Sequence, residues 1–450
     1  MFGDESCVTI ANITRFFRER TILPEDTIYP TLYSYIEAAA LGVWSVYQII
    51  AGHAASLAGA GILFITGQAP LIEPLRVVTV AFDTATVFLA FLLGRRLRDP
   101  ATGIAAAAFV ALSQNHLSYA RWALPDVPMA FFSTACLLLA LRHLEAPSWR
   151  RLLGSAALAG LATSCKYNGA MITLAVAAAH LLAQPPRGRA ISVRWLSQLA
   201  AAAVVCVAAF AAGSPAWIIQ PRVMLATFRQ TSAHMAAGHY FVPGGPPYVW
   251  VLNYLLSAET SIGAAGLLGI IWACLARERR LWVIVTPVIA AIAVIGLWNK
   301  QSPYYLLGVW PALLALGAVA VHDFVRWFSL RPLALASAVA LLVALPAANA
   351  AQLAWDELRT DNRRAAERWI QARLPAGAKV GTDVMAMPNL YDRLWINEAG
   401  ARRASQLTHE ADMAIWTRFV KGVRAYDLSP MPVDNPAWLD SADVDYAVTS

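Results

Sequence analysis

The chain has 450 residues; 58% are hydrophobic or aromatic and only 14% are charged, where an ordinary soluble protein carries about 25% charged residues. Lys and Arg outnumber Asp and Glu by 35 to 28, a net charge of +7. Charge-free runs such as Leu196–Pro215 and Trp282–Trp298 approach the ~20 apolar residues that cross a bilayer as a helix, which excludes a soluble enzyme, a disordered chain and a nucleic-acid binder.

In chain order, the first 76 residues read as an external segment. Its apolar stretches Thr31–Gly52 and Ala54–Gly67 suit an interfacial or re-entrant pair. Apolar runs then predict ten crossing helices over 77–94, 101–119, 127–143, 152–165, 168–183, 196–213, 262–275, 281–298, 304–321 and 333–350. The spans 152–165 and 168–183 are short and meet at Lys166-Tyr167-Asn168-Gly169. Such broken helices are tolerated at membrane depth where they line a water-filled cavity. Between the crossings, 214–261 is an external loop rich in Pro, Gly and aromatics. From 351 onward charges return. Ala365–Leu374 reads as a helix with Ile370 and Leu374 on one side, and Ala378–Thr382 and Val444–Thr449 have strand character. The expected fold is therefore an all-α polytopic membrane core, 77–350, followed by a small external α/β appendage.

Basic residues sort by side. Arg95, Arg96 and Arg98, then Arg142, Arg150 and Arg151, then Arg187, Arg189 and Arg194, then Arg277, Arg279 and Arg280, and finally Arg326 and Arg331 occupy five alternate connections. The other connections hold only Arg121, Lys166, Arg222, Arg229 and Lys300. The positive-inside rule puts the arginine-rich set in the cytoplasm and, with ten crossings, both termini outside. Four of the five cysteines, Cys136, Cys165, Cys206 and Cys274, sit in apolar runs as small hydrophobes, so no disulfide framework is expected.

The external ends of the helices collect the ionisable residues: Asp4, Glu5, Arg76, Asp83, Asn115, His116, Arg121, Asp126, Lys166, His234, His239 and Lys300. Charged groups inside a membrane are functional candidates, but near a helix end they also serve as interface anchors. Asp126 can be an active-site acid or a helix N-terminal acid set against the dipole. Arg76 can hold an anion or snorkel. Asp83 lies well inside its span and is expected to pair with a polar neighbour.

Several segments together resemble a family. Phe2-Gly3-Asp4-Glu5, Tyr29-Pro30-Thr31-Leu32-Tyr33, Pro74-Leu75-Arg76, Gly94-Arg95-Arg96-Leu97, Ser118-Tyr119-Ala120-Arg121, Ala123-Leu124-Pro125-Asp126, Thr163-Ser164-Cys165-Lys166-Tyr167-Asn168-Gly169, Gly238-His239 and Lys300 through Tyr304-Tyr305 and Pro311 follow one another in the order and sidedness of GT-C glycosyltransferases. The branch they resemble is that of protein O-mannosyltransferases and lipid A aminoarabinose transferases. The resemblance covers about 1–350. It implies transfer of a sugar from a polyprenyl-phosphate carrier to a protein, lipid or glycan acceptor on the external face of the inner membrane, by a single inverting displacement. On that resemblance Asp4 is the general base with Glu5 beside it. Arg76, Lys166, Lys300 and Tyr304 are donor-phosphate ligands. Tyr29, Arg121, Tyr167 and His239 line the acceptor side, and Asp4 with Asp126 could hold a divalent cation. The rival readings are a flippase for a lipid-linked sugar and a non-catalytic envelope-assembly subunit on the same scaffold.

The family has a transmembrane helix before its acidic loop, and here Met1 stands just ahead of Asp4. The expectation is that the start is placed too late and that roughly 20–30 further residues encode that helix. The final strand-like Asp445–Ser450 suggests that the C-terminus is short too.

Overall fold

The computed structural model describes residues 5–57, 60, 72–183, 193–238, 246–328, 332–359, 362–383, 395–396, 425–431 and 445–448. Two compact units are present. The larger comprises 8–38 and 76–352, the smaller 1–7, 39–75 and 353–450.

The larger unit is helical. A π-helical turn, Glu5–Ile10, leads into α1 (Ala11–Glu19), α2 (Leu32–Ile50) and α3 (Ile72–Leu97); the turn, α2 and α3 each run across the unit boundary. Asp99 then N-caps α4 (Pro100–Ala111): its carboxylate accepts the Thr102 N–H at 2.8 Å, and Pro100 occupies the first helical position. Ser113 caps α5 (Gln114–Ala120) by accepting the His116 N–H. The single span expected over 101–119 is thus two helices, because the Ser113 hydroxyl offers a new start where hydropathy alone runs on. Next come α6 (Asp126–Glu145), α7 (Trp149–Cys165), a 3₁₀ turn (Tyr167–Ile172), α8 (Thr173–Leu182) and α9 (Val193–Gly213).

The region expected as an open loop, 214–261, instead contains α10 (Ala216–Ile219), α11 (Pro221–Ala237) and α12 (Pro247–Ser257). Pro221 and Pro247, read as loop signals, stand at the first helical positions of α11 and α12, where proline is tolerated because the N–H it lacks has no intrahelical partner there; 239–245 lie outside the described residues. The core closes with α13 (Thr260–Ala276), α14 (Arg279–Ile295), a 3₁₀ segment (Pro303–Val309), α15 (Trp310–Trp327) and α16 (Pro332–Arg359). Thr31–Gly52, expected as half of an interfacial pair, forms α2, which ends with Gly52 at φ 76°. Of the other half, 58–59 and 61–67 lie outside the described residues.

Among the described residues five segments are long and apolar enough to cross a membrane: Pro74–Leu97, Asp126–Glu145, Trp195–Gly213, Pro303–Trp327 and Leu333–Asp356. The shorter apolar helices are Pro100–Ala111, Tyr167–Leu182 and Thr260–Ala276. The chain is a multi-pass membrane protein, and its helices pack as membrane helices do, through small residues that let backbones approach. A Cβ added at Gly269 would lie 2.4 Å from the Leu316 carbonyl carbon, and one at Gly317 would lie 2.8 Å from that of Ala265. The α13–α15 pair is therefore glycine-dependent on both sides. Gly160 does the same for α7 against α9, where a Cβ would meet the Cys206 carbonyl oxygen at 2.2 Å.

Arginines of two of these connections, Arg96 and Arg98 around the end of α3 and Arg280 at the start of α14, converge at one end of this unit, while Arg187, Arg189 and Arg331 lie outside the described residues. Arg98, after α3, makes two 2.7 Å hydrogen bonds to Asp323 of α15 and pairs with Glu278 at 2.9 Å. Asp323 also accepts from Trp272 Nε1 at 2.7 Å. Glu145 receives Arg96 and Arg280. Five connections or helix ends are thereby cross-linked by charge-assisted hydrogen bonds, the stronger kind.

In the smaller unit, among the described residues, α17 (Asn362–Arg373) precedes four short strands, β1 (Lys379–Asp383), β2 (Trp395–Ile396), β3 (Ala425–Met431) and β4 (Tyr446–Val448). They form a parallel sheet in the order β2-β3-β1-β4, with Val380 opposite Leu428 on one side and Tyr446 on the other. Ile370 and Leu374 are buried, as their shared face predicts, while Trp369 is half-exposed.

Candidate active site

At the end opposite the arginines, Lys166 terminates α7 in an extended conformation (φ −154°, ψ 139°) before the 3₁₀ turn. The turn folds back because residue 169 is glycine: a Cβ there would lie 2.5 Å from the Ala162 carbonyl oxygen. This doubling-back aims Lys166 into the bundle, where it is 5% exposed. Its Nζ donates to both carboxylate oxygens of Asp126, at 2.8 and 2.9 Å. Asp126 opens α6 and is 2% exposed, so the acid complements the helix dipole and neutralises a buried ammonium at once.

Three tyrosine rings surround that ammonium. Nζ lies 4.7 Å from the Tyr29 centroid, 4.2 Å from Tyr304 and 5.6 Å from Tyr305, distances at which the ring quadrupole attracts a cation. The segments that carry the rings are themselves held by hydrogen bonds and ring contacts. Tyr29 precedes Thr31, whose N–H donates to Ser214 Oγ and whose hydroxyl donates to the Gly213 carbonyl, both at 3.1 Å. Ser214 in turn bonds Ser164 at 2.8 Å. Tyr304 donates its hydroxyl to that of Tyr305 at 3.0 Å and meets Tyr119 edge-on at 5.3 Å. Asn168 of the 3₁₀ turn donates to the Tyr305 carbonyl.

A second cationic feature flanks the connection leading to Asp126. The Trp122 ring carries the Arg76 guanidinium at 4.7 Å and that of Arg121 at 5.2 Å; Arg121 is also fixed by its Nε bond to the Ser118 carbonyl at 3.2 Å. Thr9, in the π-helical turn, donates to the Ala123 carbonyl at 3.0 Å. The N-terminal segment is thereby tied to the connection between the arginine–tryptophan feature and Asp126.

The sequence-derived candidates divide accordingly. Lys166, Asp126, Tyr29 and Tyr304 form one cluster, and Arg76 and Arg121 form the other. Tyr167 turns away from the lysine: it accepts from Trp217 Nε1 at 3.2 Å and packs on Phe228. Lys300 docks through its N–H on the Met235 carbonyl at 3.1 Å, beside the end of α11. Glu5 opens the π-helical turn, and Asp4 and His239 lie outside the described residues. Asp83 finds its polar partner in His116. Both oxygens of Asp126 accept from the Lys166 ammonium, and Asp4, its expected partner for a divalent cation, lies outside the described residues. Among the described residues no group of three or more His, Cys, Asp or Glu could hold one.

Sequence reasoning singled out neither Tyr305 nor Trp122, though each is adjacent to a named candidate. It also passed over Glu259, 1% exposed ahead of α13. That carboxylate accepts the Asn115 N–H at 2.6 Å and the Ser113 hydroxyl at 3.0 Å. Burial pushes its carboxyl up to about 7, against those hydrogen bonds and the nearby His116.

Comparison with known proteins accords with this architecture. Residues 57–212 match the family model described as dolichyl-phosphate-mannose-protein mannosyltransferase. The chain is similar in structure to ArnT from Cupriavidus metallidurans bound to undecaprenyl phosphate, at 12% identity and TM-score 0.54, covering 87% of this chain and 70% of that one. Similarity to the same protein in its apo state is 13% identity and TM-score 0.50, over 85% and 68% of the two chains. No curated protein sequence matches. The chain thus shares the fold of ArnT, and the family model over 57–212 accords with the resemblance read from the motifs.

Proposed function

We propose that this protein is a membrane glycosyltransferase that moves a sugar from a polyprenyl-phosphate carrier to an acceptor on the external, periplasmic face. The observation that carries the reading is the buried Lys166–Asp126 pair inside three tyrosine rings, at a helix break. An ammonium has three N–H donors, and Asp126 engages two directions of it. The remaining direction can meet a phosphate oxygen, with Asp126 holding the lysine in place before the donor arrives. Arg76, stacked on Trp122, supplies a planar fork suited to phosphate. Negative charge grows on the phosphate as the bond to the anomeric carbon breaks, so fixed cations there stabilise the transition state more than the ground state.

In this reading Asp4, with Glu5 beside it, removes the acceptor's proton as the acceptor oxygen attacks the anomeric carbon, and the configuration inverts in the single step. Lys300 supports the donor side, while Arg121, Tyr167 and His239 border the acceptor side. Ten crossings, with the arginine network in the cytoplasm and the α17 and β1–β4 appendage outside, complete the topology. The Thr9–Ala123 bond supports it by drawing the N-terminal segment to the connection before Asp126.

The test uses membranes supplied with radiolabelled polyprenyl-phosphate sugars. Transfer of label by the wild type, abolished in Asp4→Asn and in Lys166→Ala, is expected. Unchanged transfer in Asp4→Asn would overturn the base assignment.

A further inference from the structure

Glu259 stands just ahead of α13, and its contacts lead to the tyrosines in two ways. Its carboxylate holds the N–H of Asn115, and the Asn115 side chain donates to the Pro303 carbonyl at 3.0 Å. It also receives the Ser113 hydroxyl, and Ser113 Oγ accepts from Trp310 Nε1 at 3.0 Å. Pro303 and Trp310 bracket the 3₁₀ segment that carries Tyr304 and Tyr305. The second carboxylate oxygen is buried with no hydrogen-bond partner among the described residues. Directly after it Thr260, a β-branched residue, adopts φ 52°. That left-handed conformation is strained for such a side chain, and strain of this kind persists where the surroundings over-determine it.

We infer that Glu259 is a positioning residue of the lysine–tyrosine site: through Asn115 and through Ser113–Trp310 it fixes both ends of Pro303–Val309, so that Tyr304 and Tyr305 face Lys166. The inference rests on the reading of that cluster as the donor-phosphate site only for its catalytic consequence; the geometry it asserts is independent of any ligand. The ionised carboxylate grips the Asn115 N–H more firmly than the neutral acid, so the brace loosens as pH falls through the neutral range. The titratable groups facing Glu259 are His116 on α5, itself paired with Asp83 on α3, and Tyr254 on α12.

The experiment places 4-fluorophenylalanine at position 304 of the full-length protein in nanodiscs and follows its ¹⁹F resonance from acid to alkaline pH. The expected result is a titration centred in the neutral range, abolished by Glu259→Gln, whose resonance stays at the wild-type acid position, and retained in His116→Gln. A resonance that is independent of pH, or that titrates equally in Glu259→Gln, would overturn the inference whether or not a donor binds. In parallel, binding of undecaprenyl phosphate and sugar transfer are measured on the unlabelled protein. Glu259→Ala should lower kcat by up to about 100-fold, the cost a misplacement near 1 Å can carry, while the KM for donor changes less. Wild type that neither binds nor transfers would sink the donor-site reading and leave the resonance result to decide the brace.

Discussion

Lys166 and Asp126 illustrate how burial makes a charge pair asymmetric. Together they are tolerated; either one alone is an uncompensated charge in a medium that solvates it poorly. Lys166→Ala should therefore lower unfolding stability by about 3–5 kcal/mol, and Lys166→Met combined with Asp126→Leu should recover most of it, as measured by thermal unfolding in detergent. Neither variant should transfer sugar. Glu259 gives a pH signature of its own. Its carboxyl is raised from the ordinary 4.5 to about 7 by burial, so between those values the folded state binds more protons than the unfolded one. Stability should fall as pH rises through that window and level off above it. Denaturant titrations at several pH values check this, and Glu259→Gln should flatten the slope. At this scale the sequence exposed Lys166 and Asp126 as odd charges beside apolar runs. It did not pair them, since the two are 40 positions apart in the chain and only the helix break turns one toward the other.

At the scale of elements, glycine does the work that apolar side chains do in soluble cores. Gly269→Ala should separate α13 from α15, because the new Cβ would overlap Leu316 backbone that cannot rotate away; overpacking of this sort costs about 1–3 kcal/mol. Gly42→Ala in α2 is the control. Nothing lies within 4 Å of its would-be Cβ, and alanine is the better helix former by roughly 0.5–1 kcal/mol, so that variant should be neutral or stabilising in the same unfolding assay. Hydrophobic runs located most helices to within a few residues. Two failures share a cause: the Ser113 cap that splits 101–119 and the prolines that open α11 and α12 are local backbone signals, invisible to a reading based on apolar content.

For the whole molecule, the arginine end and the lysine–tyrosine end are separated by the length of α6 and α7. Glu145, closing α6, meets Arg96 and Arg280, whereas Asp126, opening it, meets Lys166. If the arginine end is cytoplasmic, a cysteine replacing exposed Ala146 should react with an impermeant thiol reagent only in inside-out vesicles. One replacing exposed Ala237 should react only in intact spheroplasts. The reverse pattern would invert the topology and move the chemistry to the cytoplasm.

Composition determined by itself that this chain lives in a membrane, because transfer free energy acts on local sequence. Motif order carried the GT-C resemblance. What only the tertiary structure decided is which polar groups meet: the tyrosine ring around Lys166, the indole shared by Arg76 and Arg121, and the buried Glu259 behind Asn115. Those contacts join residues far apart in the chain and depend on helix breaks and glycine-close packing, whose directions no one-dimensional pattern encodes.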